Sequence, residues 1–449
     1  MRKILLFMLV VCFVLSLTIT CYAVSGRGTQ ANPFRITNEE ELLLLVDFPE
    51  CYFELENDIE VTATWEPVAD FSGSLDGKGH TITVSDYMPK VNMGFFGTLT
   101  GTVKNLTINA NSISVSRDLV TYIGLFAGKC TGTIENSKVT GRFSFKRQQQ
   151  YNDTASFYMG GFCGELSGSI KNSIARLDLL ETQGYGSSWK MMYTGGICGK
   201  LTGAVEQCAN MSNIYAFYAS YGGIAYSLSS DSALIKNSMN LETSFGGNSN
   251  YSCYAGIAQY NSGKIENCYS VGGNHKFEYS NYGIAPSGTM INCFYNKETN
   301  NNSSTSYGTP KSTLAMKMEV TYKDWDFENV WAIDESEENP INDGYPYLKA
   351  FYEDVESPVT LSSVSAVNGN IVIDTKITDT SNDYTLHIAL YDSRNILCDY
   401  LVIPNERGLK DVFVVYPDNK NATYAKIFTW YSTDSVIPVS TCEVITIER

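Results

Sequence analysis

A two-part pattern recurs seven times between residues 94 and 292, and it constrains the fold more than any other feature of the chain. The first part is Gly-apolar-(Phe/Cys/Ala)-x, beginning at Gly94, Gly124, Gly161, Gly196, Gly223, Gly256 and Gly283. The second, several residues on, is usually Gly-x-(Ile/Val)-(Lys/Glu)-Asn. Its last residue falls at Asn105, Asn136, Asn172, Gln207, Asn237, Asn267 and Asn292, with spacings of 25 to 36 residues. A sustained period of this length marks a repeat architecture. Each unit reads as short β segments broken by glycine and polar turns. No unit carries an amphipathic pattern long enough for a crossover helix, which disfavours leucine-rich and doubly wound folds. The expectation is a coil of parallel strands that climbs one rung per repeat.

Aligned copies assign roles to columns. The second motif position (Phe95, Leu125, Phe162, Ile197, Ile224, Ile257, Ile284) and the third (Phe96, Phe126, Cys163, Cys198, Ala225, Ala258, Ala285) are apolar throughout. Neighbouring strand residues face opposite ways, so one column lines the interior and the other lies under a loop or at a bend. The Asn column reads as a structural ladder of stacked side-chain amides that also satisfy turn backbone. The residue after it reads Leu106, Ser137, Ser173, Cys208, Ser238, Cys268 and Cys293, and the small side chains of the later copies suit a tight stack. The residue before it alternates in charge (Lys104, Glu135, Lys171, Glu206, Lys236, Glu266) and reads as a solvated salt-bridge ladder.

The flanks add three segments. Arg2 and Lys3, the apolar run Ile4–Leu17 and the small residues before position 24 read as a secretory signal peptide over 1–23, and no integral span is expected after its cleavage. Export would place the twelve cysteines, two of them inside the leader, in an oxidising setting, but their density is far below that of a disulfide scaffold. Residues 24–350 are assigned to the coil and its caps. Thr37-Asn-Glu-Glu40 reads as a capping box opening a short helix through about Val46, whose leucines plug the first rung. Trp325, Phe327, Trp331 and Gly344-Tyr-Pro-Tyr-Leu348 would cover the last rung. From 357 to 449 the glycine repeats give way to alternating segments, and an antiparallel Ig- or fibronectin-like β-sandwich is expected, in which Cys398 and Cys442 either pair or stay as thiols.

The opening Gly28-Thr-Gln-Ala-Asn-Pro33-Phe-x-Ile36, the Leu75-Asp-Gly-x-Gly-His80-Thr-Ile segment, the repeats themselves and the closing Trp325-Asp-Phe…Gly344-Tyr-Pro-Tyr-Leu348 resemble the GLUG-motif β-helix proteins secreted by clostridia and related bacteria. The resemblance covers about residues 26–350. It implies an all-β, right-handed parallel β-helix and an adhesin-like role at the cell surface. The later repeats depart from it, with Tyr226, Gln259 and Pro286 at the fourth motif position, where Gly97, Gly164 and Gly199 stand in earlier copies.

Composition narrows the function. A formal net charge of −16 repels a phosphate backbone, so nucleic acid is not expected as a partner. Only 3 histidines leave little for imidazole catalysis or a histidine metal cage. No cofactor or metal is expected; Asp58, Asp76 and the acidic run at 334–338 read as solvated loops rather than calcium sites. No catalytic residue is assigned, although coils of this kind often host polysaccharide lyases and glycoside hydrolases, and an enzyme stays open as an alternative. The binding candidates are tyrosines that precede the motif glycine: Tyr122, Tyr158, Tyr193, Tyr221, Tyr254 and Tyr282. Facing outward they would stack on sugar rings; facing inward they are core. The reading is an exported, extracellular or cell-surface scaffold that presents loops to a glycan or protein, with a structural spacer as the third possibility.

Overall fold

The computed structural model describes residues 25–115, 121–146, 156–183, 192–217, 219–242, 253–272, 281–300, 305–334, 340–351, 359–367, 370–377, 384–394, 397–405, 411–417, 423–431 and 443–446. The expected signal peptide and Cys442 lie outside them. Two compact units divide the chain, Met1–Leu348 and Lys349–Arg449.

The first unit is a stack of parallel rungs. One turn of chain runs through four short strands: Tyr122–Gly124, Ala127–Cys130, Thr133–Glu135 and Lys138–Lys146. Each pairs in parallel with its counterpart in the rung before and the rung after. The four sets of strands form four long sheets, here I to IV in that order, of seven, seven, ten and eleven strands among the described residues. This all-β architecture of parallel sheets is consistent with a parallel β-helix.

Three columns hold the rungs in register. On sheet III, Val103, Ile134, Ile170, Val205, Ile235 and Ile265 are all fully buried and point into the coil. At the bend between sheets I and II, Phe95, Phe126, Phe162, Ile197, Ile224, Ile257 and Ile284 are buried as well. The bend keeps its backbone bonds from rung to rung: Phe126 N donates to Phe162 O (3.0 Å) and Phe162 N to Ile197 O (2.9 Å). The strand pairings also correct the phase of the second repeat. Ala127 pairs with both Phe96 and Cys163, so that unit begins one residue later than its sequence suggests, with Leu125 in the glycine column.

The third column is the recurring Asn, and its physical role differs from the one expected. All seven residues, Gln207 included, have φ between 47° and 53°, in the left-handed region that Asn tolerates better than most residues. Amide-to-amide contacts are partial: Asn136 Nδ2 donates to Asn105 Oδ1 (3.4 Å) and Asn292 Nδ2 to Asn267 Oδ1 (3.3 Å). The backbone does the stacking. Asn136 N donates to Lys171 O (3.1 Å) and Asn237 N to Glu266 O (3.0 Å). The small residue that follows finishes the turn. Ser137 Oγ donates to Glu135 O (2.7 Å), Ser173 Oγ to Lys171 O (2.8 Å), and Cys268 Sγ to Glu266 O (3.2 Å). The same hydroxyls accept amides from the rung before, as in Ser137 N to Ser173 Oγ (3.2 Å). A hydroxyl or thiol is therefore wanted here, not only small size.

The charged column before the Asn is only partly a salt-bridge ladder. Lys236 pairs with Glu266 (3.3 Å) and Lys104 with Asp76 (3.2 Å), while Glu135, Lys171 and Glu206 form no ion pair among the described residues.

The N-terminal cap is a 3-10 turn, Glu40–Leu43, running into a short α-helix, Leu44–Asp47. Its capping box sits one residue later than expected: Asn38 Oδ1 accepts from Glu41 N (3.1 Å), and the Glu41 carboxylate accepts from Thr37 N (2.6 Å). Leu42 and Leu45 are buried over the first rung, whereas Leu43 is exposed. At the other end Trp325 and Trp331 lie 4.5 Å apart, Trp325 Nε1 donates to Asn292 O (3.0 Å), and Tyr269 Oη donates to Pro346 O (2.6 Å). In the second unit, seven described strands form antiparallel sheets of three (Val359–Val367, Asn370–Ile377, Asp411–Pro417) and four (Tyr384–Tyr391, Leu397–Asn405, Tyr424–Tyr431, Glu443–Thr446).

If the left-handed turn selects Asn, then Asn136→Ala should lower the unfolding free energy by roughly 1–2 kcal/mol, and Asn136→Gly by clearly less. Equal losses in denaturant titrations would instead point to the amide contact.

A candidate binding face of tyrosines and paired charges

Sheet I decides which tyrosines reach the surface. Tyr122, Tyr158 and Tyr193 are register partners on adjacent rungs, all half-buried and facing outward. Their rings follow one another at 5.8 and 5.2 Å between centroids. Tyr221 and Tyr254 belong to the next column along the strand, since Tyr221 pairs with Thr194 and Tyr254 with Tyr221. A shift of one residue turns a side chain to the other face of a sheet. Both rings are fully buried, 4.9 Å apart, and neither can stack on a ligand. Tyr282 is displaced one residue further, is half-buried, and packs edge-on to Tyr307 at 4.7 Å. The six tyrosines therefore fall into three columns, and only three of them share the outward row.

Two residues not singled out as binding candidates extend that row. Tyr226 packs on Tyr193 with ring centroids 4.3 Å apart and planes 21° from parallel, and Tyr260 follows Tyr226 at 5.6 Å. Tyr226 stands on sheet II in the column that holds Gly97, Gly128, Gly164 and Gly199 in earlier rungs. Those glycines let sheet I close onto sheet II. A Cβ on Gly164 would lie 2.3 Å from the Ile123 backbone nitrogen. The break in the glycine column was the available signal for Tyr226, and nothing in the repeat pointed to Tyr260. The result is a row of five tyrosines, Tyr122, Tyr158, Tyr193, Tyr226 and Tyr260, over five successive rungs. At a strand spacing of about 4.8 Å the row is roughly 19 Å long.

The stack exposes its members unequally. Tyr226 is only 8% exposed, and burial raises its phenol pKa strongly, with Tyr193 and Tyr260 adding to the rise. Tyr260 ends the row and is 59% exposed. Tyr193 and Tyr226 stack most closely, Tyr122, Tyr158 and Tyr193 are half-buried, and Tyr260 offers the most open ring.

A row of charges runs beside the rings. Lys129, Glu165 and Lys200 are register partners on sheet II. Glu165 bridges the two lysines, Oε2 to Lys129 Nζ (3.2 Å) and Oε1 to Lys200 Nζ (2.8 Å). Lys129 Nζ lies 4.4 Å from the centre of the Tyr122 ring, in cation–π contact. Burial pushes the Glu165 carboxyl up, but hydrogen bonds from Lys200 and Lys129, and their charges, hold it below its ordinary value.

Of the remaining acidic candidates, Asp58, Asp76 and Asp334 are engaged elsewhere, and residues 335–338 lie outside the described residues. Asp76 accepts Asn105 Nδ2 (2.9 Å) and pairs with Lys104. Asp58 accepts Thr81 N (2.8 Å) and faces His80 Nδ1 (3.2 Å), and Asp334 accepts Ile341 N (2.7 Å). Among the described residues no group of three His, Cys, Asp or Glu side chains is placed to hold a metal ion, and no helix is long and apolar enough to cross a membrane.

No family model matches the chain. Over 122 residues, 25% of the chain, it is 34% identical to a "Putative Gly-rich membrane protein" of Evansella cellulosilytica. Over 141 residues, 26% of the chain, it is 30% identical to Halomucin of Haloquadratum walsbyi. The matches cover only 14% and 2% of those relatives. Among solved structures, a "putative immunoglobulin A1 protease" from Bacteroides ovatus aligns with a TM-score of 0.42 at 21% identity, over 72% of this chain and 94% of that one. The enzymatically active domain of bacteriophage CBA120 tailspike protein 4 aligns with a TM-score of 0.18 at 13% identity, over 89% and 64%. At these scores neither likeness bears on function.

Two outcomes test the geometry of this face. Gly164→Ala forces a backbone contact and should lower stability by about 1–3 kcal/mol, whereas at Gly97 the nearest atom to an added Cβ is 3.2 Å away and the cost should be smaller. The lowered pKa of Glu165 gives stability that is full above the unfolded carboxylate pKa and is lost as pH falls through the folded value. The gap in thermal midpoint between the wild type and Glu165→Gln should therefore be present at pH 7 and close in acid; a gap that does not change with pH would contradict the assignment.

Proposed function

We propose that the chain is an exported, surface-associated binding scaffold that holds a polysaccharide along its tyrosine row. In this reading the first unit is a right-handed β-helix of the GLUG-like kind, residues 1–23 direct export, and the two C-terminal sheets pack as a sandwich. The observation that carries the reading is the row itself. Five tyrosines on consecutive rungs, flanked by Lys129, Glu165 and Lys200, combine apolar ring surface with a line of hydroxyls, amines and a carboxylate. Such a strip suits a polymer whose sugar units present apolar faces and hydroxyl edges in alternation. The names of the two relatives, a Gly-rich membrane protein and Halomucin, are compatible with a place at the cell surface.

The charges favour binding over hydrolysis. A glycosidase needs one carboxyl with a raised pKa near a second carboxylate. Glu165 is instead held ionised between two lysines.

Retention on a panel of immobilised uncharged polysaccharides tests the proposal. Tyr260→Ala should weaken binding to the retained polymer about fivefold, the equivalent of roughly 1 kcal/mol for one aromatic contact. Tyr254→Phe, buried in the coil, should leave binding unchanged. Failure of the wild-type chain to bind any uncharged polysaccharide, or equal binding by Tyr260→Ala, would refute it.

A further inference from the structure

A second face of the coil is charged in a way that the others are not. On sheets II and III lysines stand beside carboxylates, as in Lys129–Glu165–Lys200 and Lys236–Glu266. Sheet IV breaks this habit in two of its long strands, Lys138–Lys146 and Ile174–Gln183. Lys138, Arg142 and Arg176 are exposed on its outer face, and none of them has a carboxylate partner among the described residues. Lys138 pairs in register with Ile174, and Thr140 with Arg176, which makes Lys138 and Arg176 diagonal neighbours roughly 7–8 Å apart. Arg142 follows a register shift at Gly141, the kind of irregularity that re-aims a side chain. The far end of the same strands is neutralised, since Lys146 pairs with Glu181 (3.5 Å) and Ser144 Oγ donates to that carboxylate (2.6 Å). Asp178, two residues on from Arg176 and opposite the Gly141–Arg142 step, is also exposed and forms no ion pair among the described residues, which leaves three cations to one anion there.

Like charges set side by side on a sheet are destabilising. Lys138 registers this: although its side chain reaches solvent, surrounding protein pushes its ammonium pKa down, and the Arg176 charge adds to the fall. The polar floor leads toward the cations. Thr83, Asn109, Thr140 and Arg176 occupy one column, with Thr140 Oγ1 donating to Asn109 Oδ1 (2.9 Å) and Arg176 Nη2 touching the Met211 sulfur (3.7 Å).

We propose that the outer face of sheet IV around Lys138, Arg142 and Arg176 is a binding site for an acidic polysaccharide, its carboxylate or sulfate groups resting on these three cations. Four residues of strand separate Lys138 from Arg142, about 13 Å, too far for one small anion to bridge and suited to charges repeated along an extended polymer. The net charge of −16 on the chain opposes every polyanion, and opposes the densest most, so a polysaccharide with spaced charges is favoured over a duplex nucleic acid. The site lies on a different sheet from the tyrosine row and does not depend on it.

The test uses the full chain with alginate as the carboxylated probe, dextran sulfate as the sulfated probe, uncharged dextran as control and duplex DNA as competitor. The wild type should bind at least one of the two acidic polymers, more weakly as salt rises, and should not bind dextran through this face; which polymer binds identifies the anionic group. The double variant Arg142→Gln/Arg176→Gln should lose about tenfold or more in affinity, as expected for removing charge-assisted contacts. Lys138→Glu should also lose binding, yet raise the thermal midpoint, because a carboxylate at that position would face Arg176. Tyr260→Ala should leave polyanion binding unchanged. Wild-type affinity in the double variant, no binding of either acidic polymer, loss of polyanion binding in Tyr260→Ala, or tighter binding of duplex DNA would each overturn the proposal.

Discussion

The structure depends on a backbone turn in the left-handed conformation, repeated once per rung. Each turn swings the chain from sheet III to sheet IV, and in the first six the amide of the turn residue donates to a carbonyl of the next rung. Because neighbouring rungs share this bond, their registers are tied together, and every column of side chains follows from it. The Ser or Cys after the turn gives that same carbonyl a second hydrogen bond. Interior burial then adds most of the favourable free energy, through apolar columns that fit only when the turns align.

Register also decides which side chains serve the surface. Tyr193 and Tyr221 occupy similar places relative to their motif glycines, yet one lies in the outward row and the other inside the coil. The difference is a single residue of phase on a strand with a side-chain period of two. The same rule lets a solenoid vary its faces independently. Sheets I and II carry rings and balanced charges, whereas sheet IV carries unbalanced cations, and both rest on the same buried columns.

Much of the fold was legible in the sequence because repetition amplifies weak signals. One Gly-Ile-Ala or Ile-Lys-Asn segment says little, but seven at a regular interval define a coil, and the capping leucines and tryptophans mark its ends. What could not be read were features set by one residue of phase. Gly124 looked like the motif glycine, but pairing puts Leu125 in that column. Thr37 looked like the helix cap, but Asn38 performs it. The Asn column was visible as a pattern while its cause, a positive φ, was not, because an amide ladder and a left-handed turn both select Asn. The tyrosine row was half legible. Three members were found among six candidates, Tyr226 was signalled only by the loss of a glycine, and Tyr260 carried no sequence mark. The basic face was hidden for another reason, since Lys138 and Arg176 are far apart in sequence and meet only across a strand pair.

The central claim is that adjacent rungs align Tyr158 with Tyr193 on the outside of the coil and place Tyr221 inside. Cysteine pairs introduced at these positions test it directly, since a disulfide needs Cα atoms about 4.4–6.8 Å apart and side chains on the same face. Peptide mapping after mild oxidation should find a cross-link in Tyr158→Cys/Tyr193→Cys and none in Tyr193→Cys/Tyr221→Cys. A cross-link in the second pair and none in the first would contradict the register on which the account stands.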